Sequence, residues 1–181
     1  EIKKISSLLL SVAFSSIGFI ASITVTVLAA REVSSNPLFV GFPNAVGVGG
    51  AVIGTRMIYL ISKSNSQLNA LAFTFLIGAF GGAIMFYSLI LDSFLLLLLG
   101  AFILGIGQSA TLQTRYAASF VAGTKFKATA LSLAVWFSVF GSVFGPRMVG
   151  SYSNFFENIF NSDLIVGYVI AFVGMLFAAA S

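Results

Sequence analysis

Cysteine and histidine are both absent from the 181 residues, and only five residues are acidic. These absences exclude disulfides, thiolate zinc sites, haem ligation by histidine, and Ser-His or Cys-His nucleophile pairs within the chain. Charged residues make up 8% of the sequence, against about a quarter in an ordinary soluble domain. We therefore predict that the chain is not an enzyme and uses no metal or other cofactor.

Hydrophobic residues are abundant instead, at 59% of the sequence, with a mean hydropathy of +1.07. They form six apolar runs of about 20 residues or more, the length that crosses the hydrocarbon core of a bilayer as a helix. The sequence predicts an all-α integral membrane protein with six transmembrane helices in one domain, residues 1–181. We expect the spans at residues 7–30, 37–61, 68–91, 93–120, 128–151 and 163–181, and Asn36-Pro37 marks a helix start.

The distribution of charge along the chain predicts its orientation. Lys and Arg are enriched on the cytoplasmic side of membrane proteins. Most of the basic residues fall near the amino terminus and the second and fourth connections: Lys3, Lys4, Arg56, Lys63, Arg115, Lys125 and Lys127. We therefore predict a multi-pass protein of the plasma (inner) membrane with both termini in the cytoplasm. The net charge of +4 then reflects topology, and the partner is the lipid bilayer rather than a nucleic acid.

One stretch of the fifth span, SVFGSVFGPRMVG at residues 138–150, interrupts the apolar pattern. Gly141 and Gly145 are four residues apart, which lets another helix approach closely. Pro146 removes one backbone donor from the helix. Two interpretations remain open: a helix end with a packing groove, or a bend at which one helix moves against another.

Residues 98–150 resemble the fourth and fifth helices of the major facilitator superfamily. The matching positions follow the family order of a Gly-x-Gly centre, a basic loop and a Gly-x-x-x-Gly-Pro signature: Gly105, Gly107, Lys125, Lys127, Gly141, Gly145, Pro146 and Gly150. Two departures concern charge. Ala101 stands where the family carries an arginine, and the loop after the second span keeps only Lys63 of the family's basic positions, so that Arg56 is a candidate for the missing cation.

The resemblance implies a 3+3 inverted-repeat bundle in which helices one, two, four and five line a central cavity. Polar residues are concentrated in spans one and four, as this arrangement requires. Gln108, Thr111 and Arg115 share one face of the fourth span at spacings of three and four residues. With Asn44 and Trp136 they are the candidates for a substrate cavity. Hydrogen bonding between helices, an interfacial position for Arg115 and core packing of Trp136 are the alternatives.

In function, the resemblance implies a secondary transporter that moves a small solute by alternating access. The chain would be the amino-terminal half of a twelve-helix protein, paired with a carboxyl-terminal six-helix half or with a second copy of itself. Gly141, Gly145, Pro146 and Gly150 would form a packed gate segment, with Arg56 and Lys63 near the cytoplasmic gate. A non-transporting membrane assembly or receptor protein is the alternative, for which polar residues should be spread over all six helices.

Overall fold

The computed structural model describes residues 2–34, 37–64, 66–160 and 162–181, and the regular elements in these ranges are all helical. The α-helices are α1 (Ile2–Val33), α2 (Phe42–Ser64), α3 (Gln67–Ile90), α4 (Phe94–Val121), α5 (Gly123–Phe160) and α6 (Ile165–Ala180). Helices α1 to α5 are long and apolar enough to cross a membrane, whereas α6, with 16 residues, is shorter. The six predicted spans therefore correspond to five candidate spans and one shorter apolar helix.

The second helix begins later than predicted. Pro37–Phe39 forms a separate 3-10 turn, and α2 starts at Phe42 rather than at residue 37. Asn36 of the predicted helix start lies outside the described residues. Pro43 occupies the first turn of α2, where the N–H that proline lacks would have no partner within the helix. Of the two prolines in this region, the helix start thus lies beside the second, Pro43.

The fifth helix is longer than predicted, since it runs from Gly123 to Phe160 instead of over 128–151. Pro146 lies inside it, so the interpretation of this proline as a helix end is wrong. Proline removes a single hydrogen bond, and the surrounding turns of the helix keep theirs. The extra length places Glu157 in the last turn of α5, just as the extended α1 places Glu32 in its own last turn.

Helices α1 and α4 form the centre of the bundle. Helix α1 packs against α5 and α6, and α4 packs in the same way against α2 and α3. Glycine makes several of these contacts possible because a side chain would collide with backbone. A Cβ at Gly54 would lie 2.7 Å from the Ile106 carbonyl oxygen of α4, and one at Gly174 would lie 2.7 Å from the Phe14 carbonyl oxygen of α1.

The charged connections show how the helix ends are grouped. Glu32 at the end of α1 lies close enough to Asp92 and Asp163 for charge interaction. Ser7 near the start of α1 donates a hydrogen bond to the Ser181 carbonyl. The α3–α4 and α5–α6 connections therefore lie at the end of the bundle where α1 finishes, and the residue that follows α6 lies where α1 begins.

Candidate functional site

Two adjoining pockets lie between the helices that the sequence assigned to a central cavity. The first, here called the Asn44 pocket, has a volume of about 250 Å³ and opens between α1, α2 and α4. Its walls combine apolar side chains with the amides of Asn44 and Gln108 and the hydroxyls of Ser22 and Thr26. Met85 of α3 completes the lining. This pocket is mainly apolar with a few polar groups, which is typical of a small-molecule site.

The second, the Arg115 pocket, has a volume of about 230 Å³ and lies between α1, α4 and α5. Its lining is Ser16, Phe19, Ile20, Gln108, Thr111, Leu112, Arg115, Ser138, Val139 and Ser142. Phe19 and Gln108 belong to both pockets. The two pockets are therefore neighbours along α1 and α4, and neither is lined by an acidic side chain.

Three of the predicted site residues form a polar stripe along α4. Gln108, Thr111 and Arg115 follow one another along a single helix face, and all three line the Arg115 pocket. Gln108 is half-buried, Thr111 is buried, and Arg115 is half-buried. Three residues that carry an amide, a hydroxyl and a guanidinium group, all hydrogen-bond donors, thus line one pocket.

Several hydroxyl groups elsewhere in the bundle have partners in their own helices. Thr74 donates to the Ala70 carbonyl at 2.8 Å, Thr114 to the Ala110 carbonyl at 2.7 Å, and Ser109 to the Ile106 carbonyl at 2.6 Å. Such bonds satisfy a hydroxyl without any neighbour from another helix.

The Arg115 pocket differs in this respect. In the described part of the chain, Ser16 Oγ, Thr111 Oγ1 and Arg115 Nε are buried and have no hydrogen-bond partner, and all three residues line this pocket. Ser162 Oγ, in the α5–α6 connection, is also buried without a partner among the described residues. Buried polar groups are normally paired, so three unpaired polar atoms on residues around one pocket require an explanation.

The glycine segment of α5 forms close contacts with α1. A Cβ at Gly141 would lie 2.6 Å from both the carbonyl carbon and the Cβ of Ser16, and one at Gly145 would lie 3.0 Å from the Ala21 nitrogen. These contacts bring Ser138 and Ser142 beside α1 as the α5 wall of the Arg115 pocket. At Gly150 a Cβ would meet no described atom within 4 Å. Gly150 therefore makes no close contact with the described residues, unlike the other two glycines of the signature.

The remaining predicted residues lie outside both pockets. Trp136 is 69% exposed and lines a shallow apolar groove on α5, which shares only Val139 with the Arg115 pocket. Arg56 and Lys63 are exposed on α2. Lys63 Nζ lies 5.9 Å from the centre of the Tyr59 ring, one turn away on the same helix. The structure thus separates these three side chains from the polar stripe on α4.

Several lining residues were not among the sequence candidates, and two of them had a detectable signal. Ser138 and Ser142 are one turn apart and precede Gly141 and Gly145 at helical spacing, in a segment otherwise rich in Phe and Val. A stripe of small residues on an apolar helix indicates the face that packs against a neighbour. Phe19 had no such signal, because phenylalanine is common throughout the chain.

An all-helical chain with five membrane-spanning candidates and polar pockets between its helices has the properties of a multi-pass membrane protein. Two curated relatives support a more specific assignment. The chain is 29% identical over 165 residues to the uncharacterized MFS-type transporter YdeG of Bacillus subtilis (strain 168), and 29% identical over 176 residues to the uncharacterized MFS-type transporter YddS of the same strain. These alignments cover 91% and 97% of this chain, which confirms its resemblance to major facilitator superfamily transporters.

The alignments cover 38% and 40% of the two relatives, so the chain spans about two-fifths of their length. No protein-family model matches the chain. No solved structure matches it at a significant level.

Proposed function

We propose that this chain is the amino-terminal half of a secondary transporter of the major facilitator type, which moves a small solute across the plasma membrane by alternating access. The observation that carries the proposal is the pair of adjoining pockets between α1, α2, α4 and α5, where polar groups face a common space. Polar side chains inside a membrane are costly and commonly mark a solute pathway. The substrate cavity assigned here includes Asn44, Gln108, Thr111 and Arg115.

The pairing of the helices supports a 3+3 inverted repeat. Helix α4 packs against α2 and α3 in the way that α1 packs against α5 and α6. If α1 corresponds to α4, α2 to α5 and α3 to α6, each contact in the first set has an equivalent in the second. Glycine contributes to both sets, with Gly54 against α4 and Gly141 against α1. Internal repeats of this kind are common in secondary transporters, with the solute site at their interface.

The exposure of α2 and α5 supports a second six-helix unit. These two helices are the least buried of the five candidate spans. They expose large apolar side chains next to the pockets, such as Val48 and Val52 on α2 and Val143 and Phe144 on α5. A carboxyl-terminal half, or a second copy of this chain, would cover this surface and close the other side of the cavity. Rocking of two such units about a central site is the basis of alternating access.

Charge sidedness supports a cytoplasmic amino terminus in this proposal. Lys4 lies in the first turn of α1, and Lys63 lies at the end of α2. Lys125 and Lys127 lie in the first two turns of α5. Alternating helix directions bring these residues to one end of the bundle, which the excess of lysine assigns to the cytoplasm.

The test compares solute uptake and export between cells that express the full-length protein and cells that lack it. We expect a difference for at least one small solute, and we expect Gln108→Ala to abolish it while membrane abundance is retained. Thr74→Ala is the matched control, because Thr74 is buried in α3, bonds to its own helix and lines neither pocket. Equal loss in both variants would contradict the cavity assignment. No difference for any solute, at normal abundance, would favour the assembly or receptor alternative.

A further inference from the structure

Among the residues that the structure describes, no acidic side chain lines the pocket that contains Arg115. Its guanidinium group is always charged in proteins, and its Nε is buried without a hydrogen-bond partner in the described part of the chain. The other residues that line its pocket are neutral. A half-buried guanidinium group with no acidic side chain beside it among the described residues favours an anionic partner.

Two further residues that line this pocket, Ser16 and Thr111, carry hydroxyl groups. Ser16 and Thr111 are each 4% exposed, and their oxygens are buried without a partner among the described residues. Ser16 is held in place by the contact of α1 with Gly141 of α5, whereas Thr111 lies one turn before Arg115 on α4. Hydroxyl groups and a guanidinium N–H are all donors, and an anionic oxygen group can accept from several donors at once.

We propose that the Arg115 pocket binds the carboxylate or phosphate group of a small water-soluble molecule, and that the solute class of this protein is therefore an organic anion. This inference rests on the proposed function, because it names the substrate class of the same cavity. Ser16, Thr111 and Arg115 provide the donors for the anionic group. The adjoining Asn44 pocket, with Phe19 and Gln108 at the boundary, accommodates the rest of the molecule. A cationic solute would be repelled, and a neutral one would leave the charge of Arg115 uncompensated.

The experiment measures binding without requiring knowledge of the natural solute. The full-length protein receives a single cysteine by Ser142→Cys, with any cysteines outside this chain replaced, and is purified in maltoside detergent. Ser142 is exposed and lines the Arg115 pocket. The rate of thiol modification at position 142 is measured with benzoate and with benzyl alcohol, which share a ring and differ in charge. We expect benzoate to slow the reaction and benzyl alcohol to leave it unchanged. Equal effects of the two compounds, or no effect of benzoate, would overturn the proposal.

Variants of the arginine test its role directly. Arg115→Gln should weaken the apparent affinity for benzoate by about tenfold or more, as expected for the loss of a charge-assisted hydrogen bond. Arg115→Lys keeps the charge and should retain part of the protection, which separates loss of charge from misfolding. Arg147→Gln is the control, because Arg147 is an exposed arginine of α5 outside both pockets. A loss of protection in Arg147→Gln equal to that in Arg115→Gln would contradict the assignment.

Lipid is the other source of an anionic oxygen group. Phosphatidylglycerol added to the detergent should leave the benzoate effect intact. If the lipid itself protects position 142 and removes the benzoate effect, a headgroup occupies the pocket and the assignment to a solute is overturned. Transport in reconstituted vesicles distinguishes this inference from the proposed function. Solute transport that is unchanged in Arg115→Gln would leave the transporter proposal standing and overturn the anion assignment. Benzoate binding that depends on Arg115, without any transport, would support an anion site and overturn the transporter proposal.

Discussion

Thr111 and Thr114 carry the same side chain on one helix but differ in hydrogen bonding. Both are buried in α4. Thr114 donates to the Ala110 carbonyl at 2.7 Å, whereas Thr111 Oγ1 has no partner in the part of the chain that the structure describes. A buried hydroxyl without a partner costs about 1–3 kcal/mol. Thr111 therefore carries a stability penalty that Thr114 does not, and binding in the Arg115 pocket would offset it.

This contrast predicts opposite effects of the same substitution. Thr111→Val should raise the free energy of unfolding by about 1 kcal/mol or more, because an unpaired oxygen is replaced by a methyl group of similar size. Thr114→Val should lower it slightly or leave it unchanged, since the hydroxyl already has a partner. Thermal unfolding of the purified full-length protein in detergent would measure both. A fall in Tm for Thr111→Val as large as that for Thr114→Val would show that the Thr111 hydroxyl is paired.

The side chains of the candidate site differ in how far sequence reasoning could place them. Gln108, Thr111 and Arg115 were predicted to share a face because helix periodicity fixes neighbours along one helix. Trp136 was a candidate for either a cavity wall or core packing, and in the structure it is exposed and lines a separate groove with Val139. Its surroundings depend on how α5 is rotated against α1, which the glycine contacts determine. Periodicity within a helix carries no information about that rotation.

At the level of the helix, two of the four residues in the glycine-proline signature of α5 pack against α1. Gly141 and Gly145 contact α1, Pro146 interrupts one hydrogen bond of a continuous helix, and Gly150 contacts no described atom. A helix that lacks one hydrogen bond can bend at smaller cost than a regular one. We therefore keep the prediction that this segment closes the pathway toward the outside.

Gly145→Leu tests this prediction, and Gly150→Leu is its control. The leucine at position 145 would force α5 away from α1 and favour a state that is open to the outside, so a cysteine introduced by Asn44→Cys should react faster with an impermeant thiol reagent in intact cells. The same substitution at position 150 should not change this rate, because its Cβ points into open space. Unchanged reactivity in the Gly145 variant, at normal abundance, would mean that the glycines serve packing alone.

The helices themselves were more predictable than their ends. All six predicted spans overlap an α-helix of the structure, because long apolar runs leave no other way to satisfy the backbone within a bilayer. The start of α2 and the end of α5 were both misplaced, and a proline lies near each of the two predicted ends. Pro37 begins a separate 3-10 turn, whereas α5 continues as a helix on both sides of Pro146. Each proline lacks the same backbone donor, so this local property alone does not predict whether the helix continues.

For the molecule as a whole, the orientation in the membrane is the prediction with the widest consequences. Leu38 lies in the 3-10 turn before α2 and is 83% exposed, and Ser64 is exposed at the opposite end of α2. Cysteines introduced by Leu38→Cys and Ser64→Cys in the full-length protein should differ in labelling by an impermeant reagent. Only the first should react in intact cells, and the second should react after permeabilisation. Labelling with the reverse sidedness would invert the topology and place the lysine-rich end outside.

The length of α5 has a mechanical consequence. Its 38 residues extend over about 57 Å, nearly twice the thickness of the hydrocarbon core. Beyond its contact with α1 at Gly145, α5 continues to Phe160, which lies about 22 Å further along the axis at 1.5 Å per residue. A rotation of this segment by about 10° about the Gly145 contact would displace the far end of the helix by about 4 Å. A bend of α5 at Pro146 would therefore move the end of the helix, and a spectroscopic label at the exposed Phe155 would register the movement.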